Sequence, residues 1–109
     1  MKKLTFTIGT QDKDNRDIFY SINNLKATLA SRLNYAAFTA PAGCYKYNDG
    51  TVCFEPSLKV EVILSDDDDF KKQVEICKAI ENACNLFNQE SYLYEIQTSN
   101  SYNATLVYC

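Results

Sequence analysis

The chain has 109 residues, of which 46% are hydrophobic and 23% charged, and this composition is typical of a globular protein rather than a disordered or fibrous one. Its formal net charge is −3, so it lacks the basic excess with which proteins bind nucleic-acid polymers. No apolar run approaches the roughly 20 residues of a membrane-spanning helix. We therefore expect one cytoplasmic domain, residues 1–109, with neither a membrane nor a nucleic-acid polymer as its partner.

The N-terminal segment predicts a strand from Lys3 to Gly9, because apolar and polar residues alternate there with the period of two of a half-buried sheet. The same alternation excludes a signal peptide, which requires a continuous apolar run. A polar loop follows. Apolar residues at spacings of three and four then predict a helix from Ser21 to Leu33, with Ser21 or Asp17 as its cap.

The segment Gly43–Leu64 predicts two long strands joined by a tight turn at Asn48 to Gly50, since these residue types tolerate the backbone angles that such turns need. Cys44 and Cys53 flank this turn and would face each other across a four-residue loop. The chain has five cysteines, an odd number, and no signal peptide is predicted. Both observations favour reduced thiols, with a Cys44–Cys53 disulfide as the less favoured alternative.

Four consecutive aspartates open the second predicted helix; they are Asp66, Asp67, Asp68 and Asp69. Carboxylates at this position stabilise the positive end of the helix dipole, which is the simplest interpretation. A metal site and an acidic surface for a basic partner are the two functional alternatives. The helix continues to Phe87 with apolar residues at helical spacing. A strand around Tyr92 and Tyr94 follows, and a final edge strand is predicted from Ala104 to Cys109.

The predicted order of elements is β-α-β-β-α-β with an additional C-terminal strand. This is the order of the ferredoxin-like α+β fold, an antiparallel sheet with two helices on one face. The chain has no histidine, which removes the commonest general base and the usual partner of a serine or cysteine nucleophile. No spacing selects a catalytic lysine, carboxylate or tyrosine, or a cofactor or metal site. The prediction therefore leans towards a non-enzymatic protein.

The eight tyrosines are the distinctive feature of the composition. Tyr45 and Tyr47 share one face of their strand, and Tyr92 and Tyr94 share one face of theirs. Core packing is the first interpretation, since a buried tyrosine commonly keeps only its hydroxyl in water. On an open sheet face, the tyrosines would instead form the contact of a homodimer or higher homo-oligomer. A third interpretation is a platform that stacks a nucleotide, with Lys46 near its phosphate.

Two motifs carry a resemblance to a known group of proteins. The strand FTIGTQDKD and the hairpin GCYKYNDG resemble those of small accessory proteins of phages and prophages in Gram-positive bacteria. The resemblance implies a protein that counters bacterial immunity in the host cytoplasm. Such proteins bind a defence effector, as anti-CRISPR proteins do, or sequester a nucleotide signal.

The leading functional prediction is a non-catalytic protein that binds and inhibits a bacterial defence protein, with Asp66–Asp69 contacting basic surface on that target. One alternative is a sponge that sequesters a nucleotide immune signal, cyclic or linear, on its tyrosine-rich surface. The second alternative is a small ferredoxin-like enzyme.

Overall fold

The computed structural model describes residues 1–10, 19–31, 33, 36–39, 42–46, 49–65 and 70–109, and for residues 19–21, 42–46 and 53–55 it describes only the backbone. The helices are α1 (Phe19–Ala30) and α2 (Phe70–Leu86). The strands are β1 (Lys2–Gly9), β2 (Ala36–Thr39), β3 (Ala42–Lys46), β4 (Val52–Leu64), β5 (Ser91–Gln97) and β6 (Tyr102–Tyr108). Among the described residues, no helix is both long enough and apolar enough to cross a membrane.

The strands form an antiparallel sheet in the order β2-β4-β1-β5-β6. β1 lies at its centre, between β4 and β5. β2 pairs with the second half of the long strand β4, and β3 pairs with its first half. The arrangement confirms the predicted α+β fold with a ferredoxin-like order, and β6 is the additional strand beside β5.

The core lies between the helices and one face of the sheet. Leu4, Phe6 and Ile8 alternate along β1 and are completely buried. Side chains from both neighbouring strands and both helices complete the core; they are Leu58, Val60, Val62, Leu64, Tyr92, Leu25, Leu29, Ile76, Ile80, Ala83, Cys84 and Phe87. The period of two in β1 and β4 thus selects the buried face, as the sequence predicts. The opposite face of the sheet carries the alternate residues.

The first helix differs from its prediction at both ends. It begins at Phe19, so Ser21 lies inside the helix and is not its cap. The helix ends at Ala30, although Leu33 still donates a backbone hydrogen bond to the carbonyl oxygen of Leu29 at 3.0 Å. The alternative cap, Asp17, lies outside the described residues.

The turn of the β3–β4 hairpin uses the residue types that the sequence indicates. Gly50 has a φ of 92°, in the left-handed region that glycine adopts without steric cost. The carboxylate of Asp49 accepts the backbone N–H of Thr51 at 2.8 Å, and this hydrogen bond lowers the pKa of Asp49. The register pairs Cys44 with Phe54 and Tyr45 with Cys53. The two cysteines are therefore not cross-strand partners.

A disulfide joins Cys84 of α2 to Cys109, which follows β6. The prediction of reduced thiols is wrong for this pair. The backbone N–H of Cys109 donates to the carbonyl oxygen of Glu90 at 2.9 Å, next to the start of β5, and this contact holds Cys109 beside the loop that follows α2. Cys77 is a free, half-buried cysteine on the same helix. The spacing of cysteines along the sequence indicates pairs within one helix or one hairpin. It does not indicate Cys84 and Cys109, which come together only because β5 and β6 fold back beside α2.

Candidate functional site on the open face

Two glutamates flank a threonine on the face of the sheet opposite the helices. Thr5 of β1 pairs with Glu61 of β4 on one side and with Glu95 of β5 on the other. Cross-strand partners share a face, and neighbouring strands lie about 4.8 Å apart, so the two glutamate Cα atoms are about 10 Å apart. Thr5 is only 6% exposed, which shows that its neighbours cover it. We call Glu61, Thr5 and Glu95 the open-face row.

Glu61 lies between two lysines. Its Oε1 atom is 3.7 Å from Nζ of Lys3 and 3.6 Å from Nζ of Lys59. All three side chains are partly exposed, with fractions between 31% and 40%, and such surface ion pairs each add at most about 1 kcal/mol to stability. Their effect is local: two ammonium groups offset one carboxylate, so this end of the row is positive.

Glu95 has a different environment. Its Oε2 atom accepts a hydrogen bond from the hydroxyl of Tyr102 at 2.5 Å. Tyr102 reaches it diagonally across the β5–β6 pair, because the direct partner of Glu95 is Ala104. The hydrogen bond to the carboxylate raises the pKa of Tyr102. This contact is with a neutral hydroxyl, whereas Glu61 contacts two cations, so the Glu95 end of the row is negative.

A shallow depression adjoins the positive end of the row. It has a volume of about 390 Å³ and is lined by Met1, Lys2, Lys3, Ile63, Gln97 and Thr98. Small-molecule sites typically have volumes of about 300 to 1,000 Å³. A carboxylate that holds a hydroxyl can bind a cation or accept a proton, and ammonium groups can bind an anionic group. The open face therefore offers complementary charges to a ligand that carries both signs.

Tyr92 and Tyr94 lie on the other face of the sheet. Tyr92 is 5% exposed, and the ring of Tyr94 stacks on Phe6 with 4.9 Å between centroids. The hydroxyl of Tyr94 accepts a hydrogen bond from the side-chain amide of Gln73 at 3.0 Å. Burial is the main cause that raises the pKa of Tyr94 to about 12. Placing these two tyrosines on an open, ligand-stacking face is thus wrong, because they share the face of Phe6 and contribute to core packing.

The other predicted site residues cannot be placed in the same way. Only the backbone of Tyr45 and Lys46 is described, within β3, and Tyr47 and Asp66–Asp69 lie outside the described residues. The sequence prediction did not include Glu61 and Glu95. Both are outward-facing residues in strands whose alternate residues are apolar, and this pattern is their only sequence signal. Their position on either side of Thr5 depends on the strand register.

Two solved structures of a phage SAM lyase match almost the whole chain. The lyase in complex with S-methyl-5'-thioadenosine is 22% identical, with a TM-score of 0.68. In its apo state it is 20% identical, with a TM-score of 0.70. Each match covers 99% of this chain and 89% of the other. No protein-family model matches the chain, and no curated protein matches it either.

The likeness shows a shared fold. It contradicts the leading functional prediction, the non-catalytic inhibitor of a defence protein, because the matching structures are those of an enzyme. The alternative of a small enzyme with a ferredoxin-like fold agrees better with this finding. The nucleotide-sponge alternative used Tyr92 and Tyr94 as stacking residues. Because Tyr92 lies in the core and Tyr94 packs against it, neither side chain forms part of an open stacking surface.

Proposed function

We propose that the chain is a phage enzyme that cleaves S-adenosylmethionine (SAM) and releases S-methyl-5'-thioadenosine. The observation that carries this proposal is the polarised open-face row, with lysines around Glu61 and, at Glu95, a carboxylate that pairs with no cation among the described residues. The fold shared with a phage SAM lyase supports the choice of substrate. Consumption of SAM would counter bacterial defence systems that require it, which retains the predicted role against immunity by a catalytic route.

The charges of the row match those of SAM. The substrate carries a sulfonium cation, an ammonium group and a carboxylate. In our proposal, the carboxylate of Glu95 faces the sulfonium, and the ammonium groups of Lys3 and Lys59 bind the substrate carboxylate. Tyr102 holds Glu95 in place through its hydroxyl. A neutral nucleoside would gain much less from this arrangement.

The proposed reaction needs no second substrate. The bond between the sulfonium sulfur and the γ-carbon of the amino-acid chain breaks, and sulfur keeps the electron pair, which gives the neutral thioether. The carbon chain is then completed in one of two balanced ways. Either a base removes a proton from the adjacent carbon and a double bond forms, or the substrate carboxylate attacks the γ-carbon and a lactone forms. An unsaturated amino acid as second product would indicate elimination, for which Glu95 is the proposed base, and a lactone would indicate ring closure, for which Glu95 is the proposed orienting group.

Incubation of the purified protein with SAM tests the proposal, with mass spectrometry of both products. Glu95→Gln should lower kcat/KM by about 10- to 100-fold, the usual effect of losing one interaction with a charged group. Lys59→Gln should mainly raise KM, because it removes one of the two ammonium groups that bind the substrate carboxylate. Glu81→Gln is the matched control, since Glu81 is exposed on α2 away from the open face.

The decisive negative result is a wild-type protein that forms no S-methyl-5'-thioadenosine and does not bind it in calorimetry. Turnover that is equal in all three variants would retain the activity but reject the open-face row as its site.

A further inference from the structure

Strand β6 forms an edge of the sheet. It pairs with β5 along its whole length, and no described strand pairs with its outer side. Six of its seven residues are exposed, with Val107 as the exception. An edge of this length presents a row of backbone N–H and C=O groups to which another strand can bind.

The hydrogen bonds at the two ends of the β5–β6 hairpin show which backbone groups point outward. The N–H of Thr98 donates to Ser101, and the N–H of Cys109 donates to Glu90. Hydrogen-bonded pairs alternate along an antiparallel ladder, so the odd-numbered residues of β6 bond to β5. The outward N–H and C=O groups therefore belong to the even-numbered residues Tyr102, Ala104, Leu106 and Tyr108.

The same even-numbered residues place their side chains on the open face, because their partners on β5 are odd-numbered. Three of them are large and strongly exposed: Tyr102 by 58%, Leu106 by 52% and Tyr108 by 72%. Leu93, the cross-strand partner of Leu106, adds a fourth apolar side chain. We call these four residues the β6 patch. Contiguous exposed apolar groups of this kind mark interaction surfaces.

The edge also lacks the features that normally prevent strand addition. Residues 97–109 contain no charged residue, proline or glycine, whereas natural edge strands are usually protected by lysine, proline or a bulge. The rest of the chain carries the whole net charge of −3. Two copies can thus approach along β6 without the like-charge repulsion that other surfaces would produce.

We propose that β6 and the β6 patch form the contact between copies of this chain. When two β6 strands run antiparallel about Thr105, Tyr102 of one copy lies opposite Tyr108 of the other, and Ala104 opposite Leu106. Each small side chain then meets a large one, and the outward backbone groups of both strands pair with each other. This self-complementarity selects a second copy as the occupant over a peptide of another protein. The sequence predicts a homo-oligomer, and this proposal specifies which surface of the chain its copies share.

Light scattering over about a hundredfold range of protein concentration tests the proposal. The wild type should have at least twice the chain mass of 12.4 kDa at the higher concentrations. Leu106→Lys should return it to the mass of one chain, because the lysines of the two copies would lie diagonally across the new pairing and repel each other. Asn82→Lys is the matched control, with the same charge change at an exposed position on α2.

A pair of proline variants separates loss of pairing from loss of folding. Ala104→Pro removes an outward N–H, which the isolated fold does not use, so the variant should fold as a monomer. Thr105→Pro removes an N–H that bonds to β5, so it should unfold the hairpin. Circular dichroism reports folding in each variant. A wild type that is monomeric at every concentration overturns the proposal, as does an assembly that both Leu106→Lys and Ala104→Pro leave intact. Because mass and folding are the readouts, either result is independent of activity towards SAM.

Discussion

Removal of the Cys84–Cys109 disulfide should lower the free energy of unfolding by about 3.5 kcal/mol. The bridge joins positions that are 25 residues apart. In the chain-entropy model, closing a loop of that length removes about 12 cal/mol/K from the unfolded chain, which is about 3.5 kcal/mol at 25 °C. Domains of this size are typically stable by only about 5 to 15 kcal/mol. The bridge would thus supply a large share of the stability.

Urea unfolding with and without dithiothreitol measures this contribution. Cys109→Ser should unfold at the same urea concentration in both conditions, and that concentration should match the value for the reduced wild type. Cys109 is the better site to change, because it is exposed while Cys84 is fully buried. Cys77→Ala is the control, since this cysteine is free and its loss should leave the effect of the reductant unchanged. A wild type with the same midpoint in both conditions would refute the reasoning.

Two further predictions concern the face that the helices cover. Phe6→Ala should lower the free energy of unfolding by about 3 to 5 kcal/mol, because Phe6 is fully buried and stacked on Tyr94; Thr7→Ala, on the open face, should change it by less than about 1 kcal/mol. Tyr94 has a folded pKa of about 12 against an ordinary value of 10. The folded state therefore holds its proton more tightly, so this contribution is complete below pH 10 and is lost as the pH rises to 12. Tyr94→Phe should show a flatter loss of stability over that range, and a slope equal to that of the wild type would contradict the assignment.

Alternation and helical spacing were sufficient to predict the fold. Apolar and polar residues alternate along β1 from Lys3 and along β4 from Leu58 to Val62, and each strand has one face of aliphatic or aromatic side chains that another layer must cover. The spacing of Ile76, Ile80 and Cys84 indicates α2 in the same way. Boundaries were less predictable, because a residue such as Ser21 is suited both to a helix cap and to a first turn.

The candidate site was not predictable, because it depends on register. Glu61 and Glu95 are 34 positions apart in the sequence, and each is an ordinary outward-facing residue of its strand. They flank Thr5 only because both strands pair with β1 at that residue. A shift of one position in either pairing would move the glutamate to the buried face. The face of Tyr92 and Tyr94 depends on register in the same way: the pairing of Phe6 with Tyr94 selects core packing, the first of the interpretations that the sequence offers.

The additional strand β6 explains why the distinctive features of this chain lie at one side of the sheet. By pairing with β5, it covers the edge that a ferredoxin-like sheet of four strands would leave open, and it creates a new edge of its own. It supplies Tyr102 to Glu95 and leads to Cys109, which the disulfide fixes to α2. Since that bridge holds the end of β6 in place, the strand would lose less conformational freedom in the proposed pairing with a second copy. The disulfide, the Glu95 hydrogen bond and the exposed edge therefore all depend on the position of β6. Changes that displace β6 should weaken the hydrogen bond, the disulfide's contribution to stability and the proposed pairing together.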